Sequence, residues 1–354
     1  MDFSHCTLLP GPVDCHVHLF MSGTDGEEER EWQLKAPYES IKTVIRKDLM
    51  QQLDHGVVAV RDGGDYAGHT LRYKKECLAT DGFPIYLKSA GRAWRASGRY
   101  GKLIGRPAPK GSSLARCIGR EKDRIDHVKV VNSGVNSLLE YGKETAPQFS
   151  LDHLSAGVRA AGELRLKTMV HANGTLPVKA AVEAGCHSIE HGFFMGRENL
   201  ERLSQSHITW VPTAYTMKGY HKCLKPESPG WLIARKNLEH QLDQMRLARQ
   251  FGVQIAVGTD AGSLGVHHGS ALIEEIKLLM QAGFPLEFAI RCSTANGARV
   301  LGLEKELGQL GAGMPATFVA TQGAPDHLPE ALRSPIAVFS RGKQWKCKKS
   351  DERS

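Results

Sequence analysis

The chain has 354 residues, 41% hydrophobic and 24% charged, which is the balance of an ordinary globular protein. This composition excludes a disordered, collagen-like or disulfide-scaffold protein. No uncharged apolar run approaches the roughly 18 residues that a membrane helix needs, and residues 1–15 lack the pattern of a secretory signal. The eight cysteines are scattered without a C-x-x-C pair, which predicts reduced thiols and a cytoplasmic protein without a membrane partner.

The net charge of +8 is concentrated in one segment. Residues 91–124, the basic segment, contain ten basic and two acidic residues, so the remainder of the chain is neutral overall. Such a segment either attracts an anion, such as a carboxylate, a phosphate or a nucleic-acid backbone, or is a solvated loop without a ligand. Only Trp94 and Tyr100 place aromatic rings there, and no nucleic-acid-binding motif is present. We therefore expect no nucleic-acid partner.

Short β-branched runs alternate with longer amphipathic segments. The runs predict eight strands, at 13–19, 57–62, 85–89, 127–131, 168–172, 188–191, 208–212 and 253–259. Helical periodicity predicts helices at 41–53, 152–164, 176–183, 232–250, 269–281 and 286–301. Eight strands separated by helices indicate an α/β fold, a (β/α)8 TIM barrel, although a doubly wound sheet also fits the alternation.

The predicted domain organisation is one barrel with a small addition. We expect residues 8–303 to form the barrel. Residues 304–346 are rich in glycine, proline and short apolar runs, which predicts a short C-terminal β extension, and residues 347–354 form a polar tail.

Five metal-ligating side chains fall at the ends of predicted strands. His16 and His18 are two apart on the first strand and therefore point to the same face. His171, His191 and Asp260 each close another strand. A lone H-x-H pair is a weak signal, but the carboxyl ends of barrel strands converge on one mouth. Together these residues predict a transition-metal site, and that site favours the barrel over the doubly wound sheet.

Lys129 lies inside the apolar run 127–131, which predicts a strand covered on both faces. Burial disfavours its ammonium form and favours a neutral amine, which is able to take up carbon dioxide and become a carbamate. The alternative is an ordinary lysine whose head reaches the mouth or pairs with a carboxylate. Burial alone does not distinguish a carbamate-forming Lys129 from an ordinary lysine.

Several strings together resemble the metal-dependent amidohydrolase superfamily, in its imidazolonepropionase-like and prolidase-type branch. They are LPGPVDCHVHL, HVKVVNSG, VHANG, SIEHG and VGTDAG, in this order, and the resemblance runs from about residue 8 to residue 317. The resemblance implies two divalent metal ions, with zinc expected first. It implies His16, His18 and Asp260 on one metal, His171 and His191 on the other, and a carboxylated Lys129 bridging both.

The sequence also departs from this family. Only ten residues precede Gly11, where family members usually carry tens of residues, and Pro315-Ala316-Thr317 stands where an Ala-Asp pair is usual. We therefore expect a rudimentary β extension at the termini. The oligomeric state stays open, with a homo-oligomer among the alternatives.

The resemblance implies hydrolysis of a C–N amide bond by a hydroxide that bridges the metals, with Asp260 as general base and then general acid. The substrate is then a small molecule with a carboxylate: a dipeptide, an N-acyl amino acid or a cyclic amide. The alternatives are a deaminase or a lactonase on the same site, or a non-catalytic binding barrel. Lys129 weakens the deaminase, since deaminases of this superfamily commonly use one metal.

Further side chains are candidates for substrate contact. Arg99 and Tyr100 suit a carboxylate, and Tyr215 or Tyr220 suits a developing oxyanion. His268 either contacts the substrate or is an ordinary loop histidine. Strand alternation predicts that Glu190 points away from the cavity. The remaining expectations are a supporting role for Asn173 and a structural ion pair between Arg61 and Asp62.

Overall fold

The computed structural model describes residues 2–121 and 124–346, so the predicted tail 347–354 lies outside the described residues. The strands are β1 Cys6–Pro10, β2 Val13–Val17, β3 Ala59–Asp62, β4 Tyr86–Ser89, β5 Ala93–Arg95, β6 Gly105–Pro107, β7 His127–Val131, β8 Lys167–Ala172, β9 Ser188–His191, β10 Thr209–Val211, β11 Phe318–Gln322, β12 Ala337–Ser340 and β13 Lys343–Trp345. The helices are α1 Glu27–Gln33, α2 Tyr38–Asp54, α3 His69–Glu76, α4 Leu78–Asp81, α5 Leu114–Gly119, α6 Leu151–Glu163, α7 Thr175–Glu183, α8 Arg197–Ser204, α9 Tyr215–Cys223, α10 Pro229–Phe251, α11 Ser270–Gln281, α12 Leu286–Ser293 and α13 Ala295–Leu301. Two 3₁₀ turns follow, at Pro325–His327 and Glu330–Arg333.

The central strands are parallel and form two sheets, ordered β2-β3-β4 and β10-β9-β8-β7-β5-β6. Backbone hydrogen bonds join the sheets at both sides. Asp126 N donates to Ser89 O between β4 and β7 (3.0 Å). On the other side, residues 253–259 bond to both neighbours, through Ala256 N to Trp210 O (3.0 Å) and Cys15 N to Val257 O (2.9 Å). The result is the expected TIM-barrel-like α/β fold.

The eighth predicted strand, 253–259, is not a regular strand. It retains one isolated bridge, between Ile255 and Trp210. Two of its backbone N–H groups bond outside the ladder, because Val257 N donates to Cys292 O (3.0 Å) and Thr259 N donates to Asp14 Oδ1 (3.0 Å). The segment therefore keeps a strand's place in the barrel without a continuous strand ladder.

The predicted helix 286–301 is two helices, α12 and α13. They break at Thr294, whose backbone has φ −124° and ψ −89°. The Thr294 hydroxyl donates to Ile290 O at 2.8 Å, and such a bond to the carbonyl four residues back competes with helix geometry. The other five predicted helices correspond to α2, α6, α7, α10 and α11, with ends shifted by at most three residues.

Both ends of the chain form a small antiparallel sheet, ordered β1-β11-β12-β13. It matches the expected β extension at the termini. A separate apolar cluster includes Val13, Ala59 and Tyr86, the first residues of β2, β3 and β4, together with Leu301 and Leu303. These side chains close the end of the barrel where the strands begin and leave the carboxyl ends for a cavity.

Within the described residues, no helix combines the length and the apolar character that crossing a bilayer requires. The seven cysteines of this part of the chain are free thiols. The eighth, Cys347, lies outside the described residues.

Thr259 joins the irregular eighth segment to β2. Its hydroxyl donates to Asp14 Oδ2 (2.6 Å) and accepts from Ala261 N (3.0 Å), and both Asp14 and Thr259 are fully buried. We expect Thr259→Val to lower the free energy of unfolding by about 2–3 kcal/mol, since two buried groups lose a partner. Urea denaturation measures this loss.

The matched control is Thr321→Val. Thr321 is equally buried, but its hydroxyl makes only a 3.5 Å contact, to Thr7 O. We expect a loss below about 1 kcal/mol there. Equal losses in the two variants would contradict the role assigned to Thr259.

Candidate metal centre and active site

A cavity of about 170 Å³ opens at the carboxyl ends of the parallel strands. All six predicted metal ligands line it, although they come from separate segments of the chain. This set, the ligand set, consists of His16, His18, Lys129, His171, His191 and Asp260. The convergence of strand ends in a barrel accounts for the gathering.

The tightest group in the ligand set is His16, His18 and Asp260, whose donor atoms all lie within 4.8 Å of one another. Asp260 Oδ1 is 3.3 Å from His16 Nε2 and 3.4 Å from His18 Nε2. Asp260 N also donates to His16 O (2.7 Å), which ties the loop after the eighth segment to β2. Two imidazoles and one carboxylate at these separations could hold a metal ion.

Each imidazole of the ligand set has one ring nitrogen bonded to a fixed oxygen outside the set. The bonds are His16 Nδ1 to Glu190 Oε2 (2.8 Å), His18 Nδ1 to Gly64 O (2.9 Å), His171 Nε2 to Gly134 O (2.9 Å) and His191 Nδ1 to Thr213 Oγ1 (2.7 Å). A carbonyl oxygen only accepts, so His18 and His171 donate there and keep a lone pair on the other nitrogen. Such outer hydrogen bonds orient metal-ligating imidazoles.

Burial keeps these imidazoles neutral. Desolvation, followed by the charge of Lys129, lowers the pKa of His18 to about 3 and that of His171 to about 4. The pKa values of His16 and His191 also lie well below the usual histidine value, with burial as the main cause. A neutral imidazole is the form that binds a metal ion.

Lys129 lies on β7 with 1% of its surface exposed. Its Nζ is 3.3 Å from His16 Nε2, inside the cavity. Burial lowers the pKa of the amine to about 8, while the charges of Glu190 and Asp260 oppose that shift. At pH 7 about a tenth of the amine is then neutral, against a far smaller fraction for an exposed lysine, and the amine faces the remaining ligands.

Asp260 is the carboxylate of the ligand set. Burial raises its pKa to about 6, and the hydrogen bond that Ser263 Oγ donates to Oδ2 (2.9 Å) opposes this rise. Its backbone is left-handed, with φ +58°. A divalent cation bound beside this carboxyl group would lower its pKa again, because the cation favours the charged form.

Left-handed backbone at a second strand end explains why Glu190 and His191 both enter the barrel interior. His191 has φ +69°, and this turn of the chain breaks the alternation that holds along a regular strand. Glu190 does not line the cavity, as expected, but its side chain points into the barrel interior and not out of the barrel. Its carboxylate is fully buried and bonds to His16 below the cavity.

Arg61 and Asp62 do not form the expected ion pair. Successive strand residues point to opposite sides, and Arg61 pairs with Glu190 instead, at 2.8 Å. Asp62 accepts from Leu19 N and Gly64 N, both at 3.0 Å. Next in sequence, Gly63 passes so close to the ligand set that a Cβ there would lie 2.7 Å from His18 Cε1.

The amidohydrolase family model matches residues 7–345, almost the whole described chain. The chain belongs to the amidohydrolase family. It is 24% identical to ochratoxinase of Aspergillus niger over 365 residues, covering 94% of this chain and 73% of that protein. It is 22% identical to imidazolonepropionase of Aliivibrio salmonicida over 373 residues, covering 96% and 84%. The crystal structure of a Xaa-Pro dipeptidase with bound methionine has the same fold, with a TM-score of 0.81, 24% identity and coverage of 96% and 87%.

These findings confirm the predicted superfamily and its imidazolonepropionase-like and prolidase-type branch. Ochratoxinase, imidazolonepropionase and the dipeptidase are hydrolases that act on C–N bonds. This amidohydrolase is therefore an enzyme of the hydrolase class.

Among the predicted substrate residues of this amidohydrolase, Tyr100 and Tyr220 line the cavity. The Tyr100 ring lies 5.5 Å from the His171 ring, centre to centre. Asn173 also lines the cavity, and its Oδ1 accepts from Phe193 N (3.0 Å). These three side chains border the space that a substrate would occupy.

The other three predicted substrate residues lie off the cavity wall. Arg99 is exposed and donates to Ala146 O (2.8 Å). Tyr215 is buried at the start of α9, where its backbone N donates to Glu275 (2.7 Å). His268 is 1% exposed, and the structure gives it buried hydrogen-bond partners rather than a place on the wall.

The basic segment contributes no cation to the cavity wall among its described residues, which exclude Lys122 and Asp123. Arg106 instead stacks over Trp94 at 4.4 Å and pairs with Glu121 at 2.6 Å. Arg106 and Arg99 thus bond to nearby residues of the protein, and the basic segment does not form a cluster of charges at the cavity.

Sequence reasoning missed Arg30, which lines the cavity from α1. Its Nη1 donates to Thr24 O and Gly262 O, both at 3.2 Å. Among the described lining residues, Arg30 and Lys129 carry the side-chain cations. The acidic residues 27–29 before Arg30 are typical of the first turn of a solvent-exposed helix. The sequence therefore does not indicate that Arg30 lines a cavity.

His268 has a buried carboxylate beside it. Its Nε2 lies 2.9 Å from Met21 O and 3.4 Å from Asp48 Oδ2, and its Nδ1 lies 3.2 Å from Gln52 Nε2. Burial lowers the pKa of His268 to about 4 and raises that of Asp48 well above 3.8. Neither Asp48 oxygen accepts a hydrogen bond from the described residues.

We expect Asp48→Asn to stabilise the protein increasingly as pH rises from about 4 to 7. Below 3.8 both states of the wild type hold the proton, but above it the unfolded carboxyl ionises while the folded one resists. The wild type therefore loses up to about 1.4 kcal/mol per pH unit at this site, and the variant does not. Urea unfolding at several pH values measures the difference.

Asp326→Asn is the control, since the Asp326 side chain is 82% exposed and should give no such trend. A gain from Asp48→Asn that is the same at pH 4 and pH 7 would show that the buried carboxyl does not resist ionisation.

Proposed function

We propose that this amidohydrolase cleaves the C–N amide bond of a small carboxylate-bearing molecule, using two divalent cations. The observation that carries the proposal is one cavity that joins the ligand set to a guanidinium, that of Arg30. The ligand set supplies the reactive centre, and Arg30 supplies an anchor for an anion.

The ligand set fits divalent cations in its chemistry. It offers four neutral imidazoles, a carboxylate and an amine that is open to modification, and these nitrogen and oxygen donors suit zinc. His16, His18 and Asp260 would hold one cation, and His171 and His191 the other. The outer hydrogen bonds support this assignment, because each leaves a ring nitrogen unused by them.

Lys129 would bridge the two cations as a carbamate. Its neutral Nζ would attack carbon dioxide, forming an N–C bond and releasing one proton to solvent. The product is an anion with two oxygens in place of one nitrogen. Both the depressed pKa of the amine and its 3.3 Å distance from His16 support this step.

Divalent cations bound here would polarise the amide carbonyl and lower the pKa of water. Asp260 would accept the proton of the attacking water on its carboxylate and deliver it to the leaving nitrogen. Tyr220, across the cavity, carries a hydroxyl able to donate to the developing oxyanion. Burial of the whole set keeps bulk water from competing for these contacts.

The cavity wall indicates the kind of substrate. Leu34, Leu103, Val135 and Met217 add apolar surface to the cavity that Arg30 lines. A substrate that suits this wall carries both a carboxylate and an apolar group. A dipeptide, an N-acyl amino acid and a cyclic amide with a carboxylate all meet this description. The names of the relatives, ochratoxinase, imidazolonepropionase and Xaa-Pro dipeptidase, agree with this range.

Metal content and activity test the proposal together. We expect elemental analysis to find two divalent metal ions per chain. A library of dipeptides and N-acyl amino acids should give amine product with the wild type. Asp260→Asn should reduce turnover by at least about 100-fold, because the proton acceptor is lost.

Asp243→Asn is the control, since Asp243 is an exposed residue of α10 that should leave turnover unchanged. Full activity in protein stripped of metal would contradict the proposal. Hydrolysis of lactones in place of amides would overturn the assignment of an amide substrate but would leave the proposed metal centre unchanged.

Arg30 and Arg99 are the two candidate anchors for the substrate carboxylate, and substituting each in turn compares them. We expect Arg30→Met to raise KM about 10–100-fold for a carboxylate substrate, the effect of one charge-assisted hydrogen-bond pair. The same variant should act on the C-terminally amidated substrate as the wild type does. Steady-state kinetics on the two substrates measure the split.

Arg99→Met is the matched control, because Arg99 is exposed and bonds to a backbone carbonyl outside the cavity. It should leave both KM values unchanged. A larger effect of Arg99→Met than of Arg30→Met would move the anchor to the basic segment.

A further inference from the structure

A charged network crosses the barrel interior directly below the ligand set. It consists of Arg61 on β3 and of Ser188 and Glu190 on β9, each at most 3% exposed. The contacts are Arg61 Nη2 to Glu190 Oε1 (2.8 Å), Arg61 Nη1 to Ser188 Oγ (2.9 Å), Ser188 Oγ to Glu190 Oε1 (2.5 Å) and His16 Nδ1 to Glu190 Oε2 (2.8 Å). The proposed reaction does not use any of these three residues.

The donors in this network determine where the proton of His16 lies. Arg61 can only donate, so Ser188 Oγ accepts from it and turns its own hydroxyl proton toward Glu190. Glu190 Oε1 then accepts from both. The other oxygen, Oε2, is left as an acceptor, so His16 must donate through Nδ1. A neutral His16 therefore keeps its lone pair on Nε2, the nitrogen that faces Lys129 and Asp260.

We propose that Glu190 is a positioning residue that fixes the tautomer and ring orientation of His16 for metal binding, with Arg61 holding Glu190 in place. This inference rests on the metal centre of the proposed function. Among the four imidazoles of the ligand set, His16 is the one whose outer partner is a carboxylate. A carboxylate behind an imidazole also makes the opposite nitrogen a stronger ligand.

A purely structural role for the Arg61–Glu190 pair is the alternative. A buried ion pair gives little net stability over apolar side chains of the same size, because desolvation offsets the attraction. Stability alone is therefore a weak reason for this pair. The structural role predicts that changes at Glu190 alter unfolding and leave the metal affinity of the folded protein unchanged.

Glu190→Gln separates the two roles. The side-chain amide of glutamine has a single oxygen, and that oxygen accepts the hydrogen bonds that Arg61 and Ser188 donate. The amide NH2 then faces His16 Nδ1, which must accept, so the proton moves to Nε2. That nitrogen points into the ligand set, where a cation needs a lone pair.

The first measurement is zinc affinity of metal-stripped, folded protein, by competition with a chelator. We expect Glu190→Gln to weaken binding about 10–100-fold, the usual effect of losing such an outer partner. The second is the ring ¹⁵N spectrum of histidine-labelled, metal-free protein. It should show the His16 proton on Nδ1 in the wild type and on Nε2 in the variant.

The double variant Arg61→Met with Glu190→Gln provides the rescue. Without the arginine, the glutamine oxygen is free to accept from His16, while its NH2 donates to Ser188 Oγ, which no longer accepts from Arg61. We expect zinc affinity within a few-fold of the wild type and the proton back on Nδ1. A structural role does not predict this recovery.

Asp54→Asn is the control. Asp54 is also a buried carboxylate, but it accepts from Trp345 Nε1 (2.8 Å) in the terminal sheet, away from the ligand set. It should lower stability and leave zinc affinity and the His16 tautomer unchanged. The same affinity and tautomer in Glu190→Gln as in the wild type would overturn the inference. A wild type that binds no zinc would refute the proposed function, and the metal-free spectrum would still show whether Glu190 sets the tautomer.

Discussion

One hydrogen bond behind each imidazole is the constraint on which the site depends. A neutral imidazole has one donor and one lone pair, so bonding one nitrogen to a fixed oxygen decides what the other nitrogen offers. His18 and His171 bond to backbone carbonyls, while His191 bonds to a threonine hydroxyl and His16 to a buried carboxylate. The barrel supplies these oxygens from neighbouring strands and loops. The two carbonyls and the carboxylate only accept, so the fold directs the lone pairs of His18, His171 and His16 at one cavity.

Much of the fold, and the meeting of the ligand set in one cavity, could be predicted from the sequence, because the signals were local. The β-branched runs gave β7 and β9 their observed bounds, and the positions of His171 and His191 at or next to strand ends followed from the same kind of run. The eighth segment could not be predicted as irregular. Its backbone bonds go to Cys292 and to the Asp14 side chain, and these contacts form only in three dimensions.

The parts of the site that sequence reasoning missed depend on backbone torsion or long-range packing. Ser188 and Glu190 both point into the barrel interior, as alternation requires, and His191 joins them because its backbone is left-handed, which the sequence pattern does not show. Arg30 lines the cavity from α1, where its guanidinium bonds to Gly262 O, whereas Arg99 bonds to Ala146 O and His268 to Met21 O. These contacts join residues that are far apart in the chain, and no motif in the sequence encodes them.

Anomalous diffraction tests the central claim most directly. Crystals grown with zinc and bicarbonate and measured on both sides of the zinc absorption edge locate every metal ion independently of any activity. The account predicts two anomalous peaks within the ligand set, with continuous density from Lys129 Nζ to a group that contacts both. A single peak remote from Lys129, or no peak among these six side chains, would contradict it.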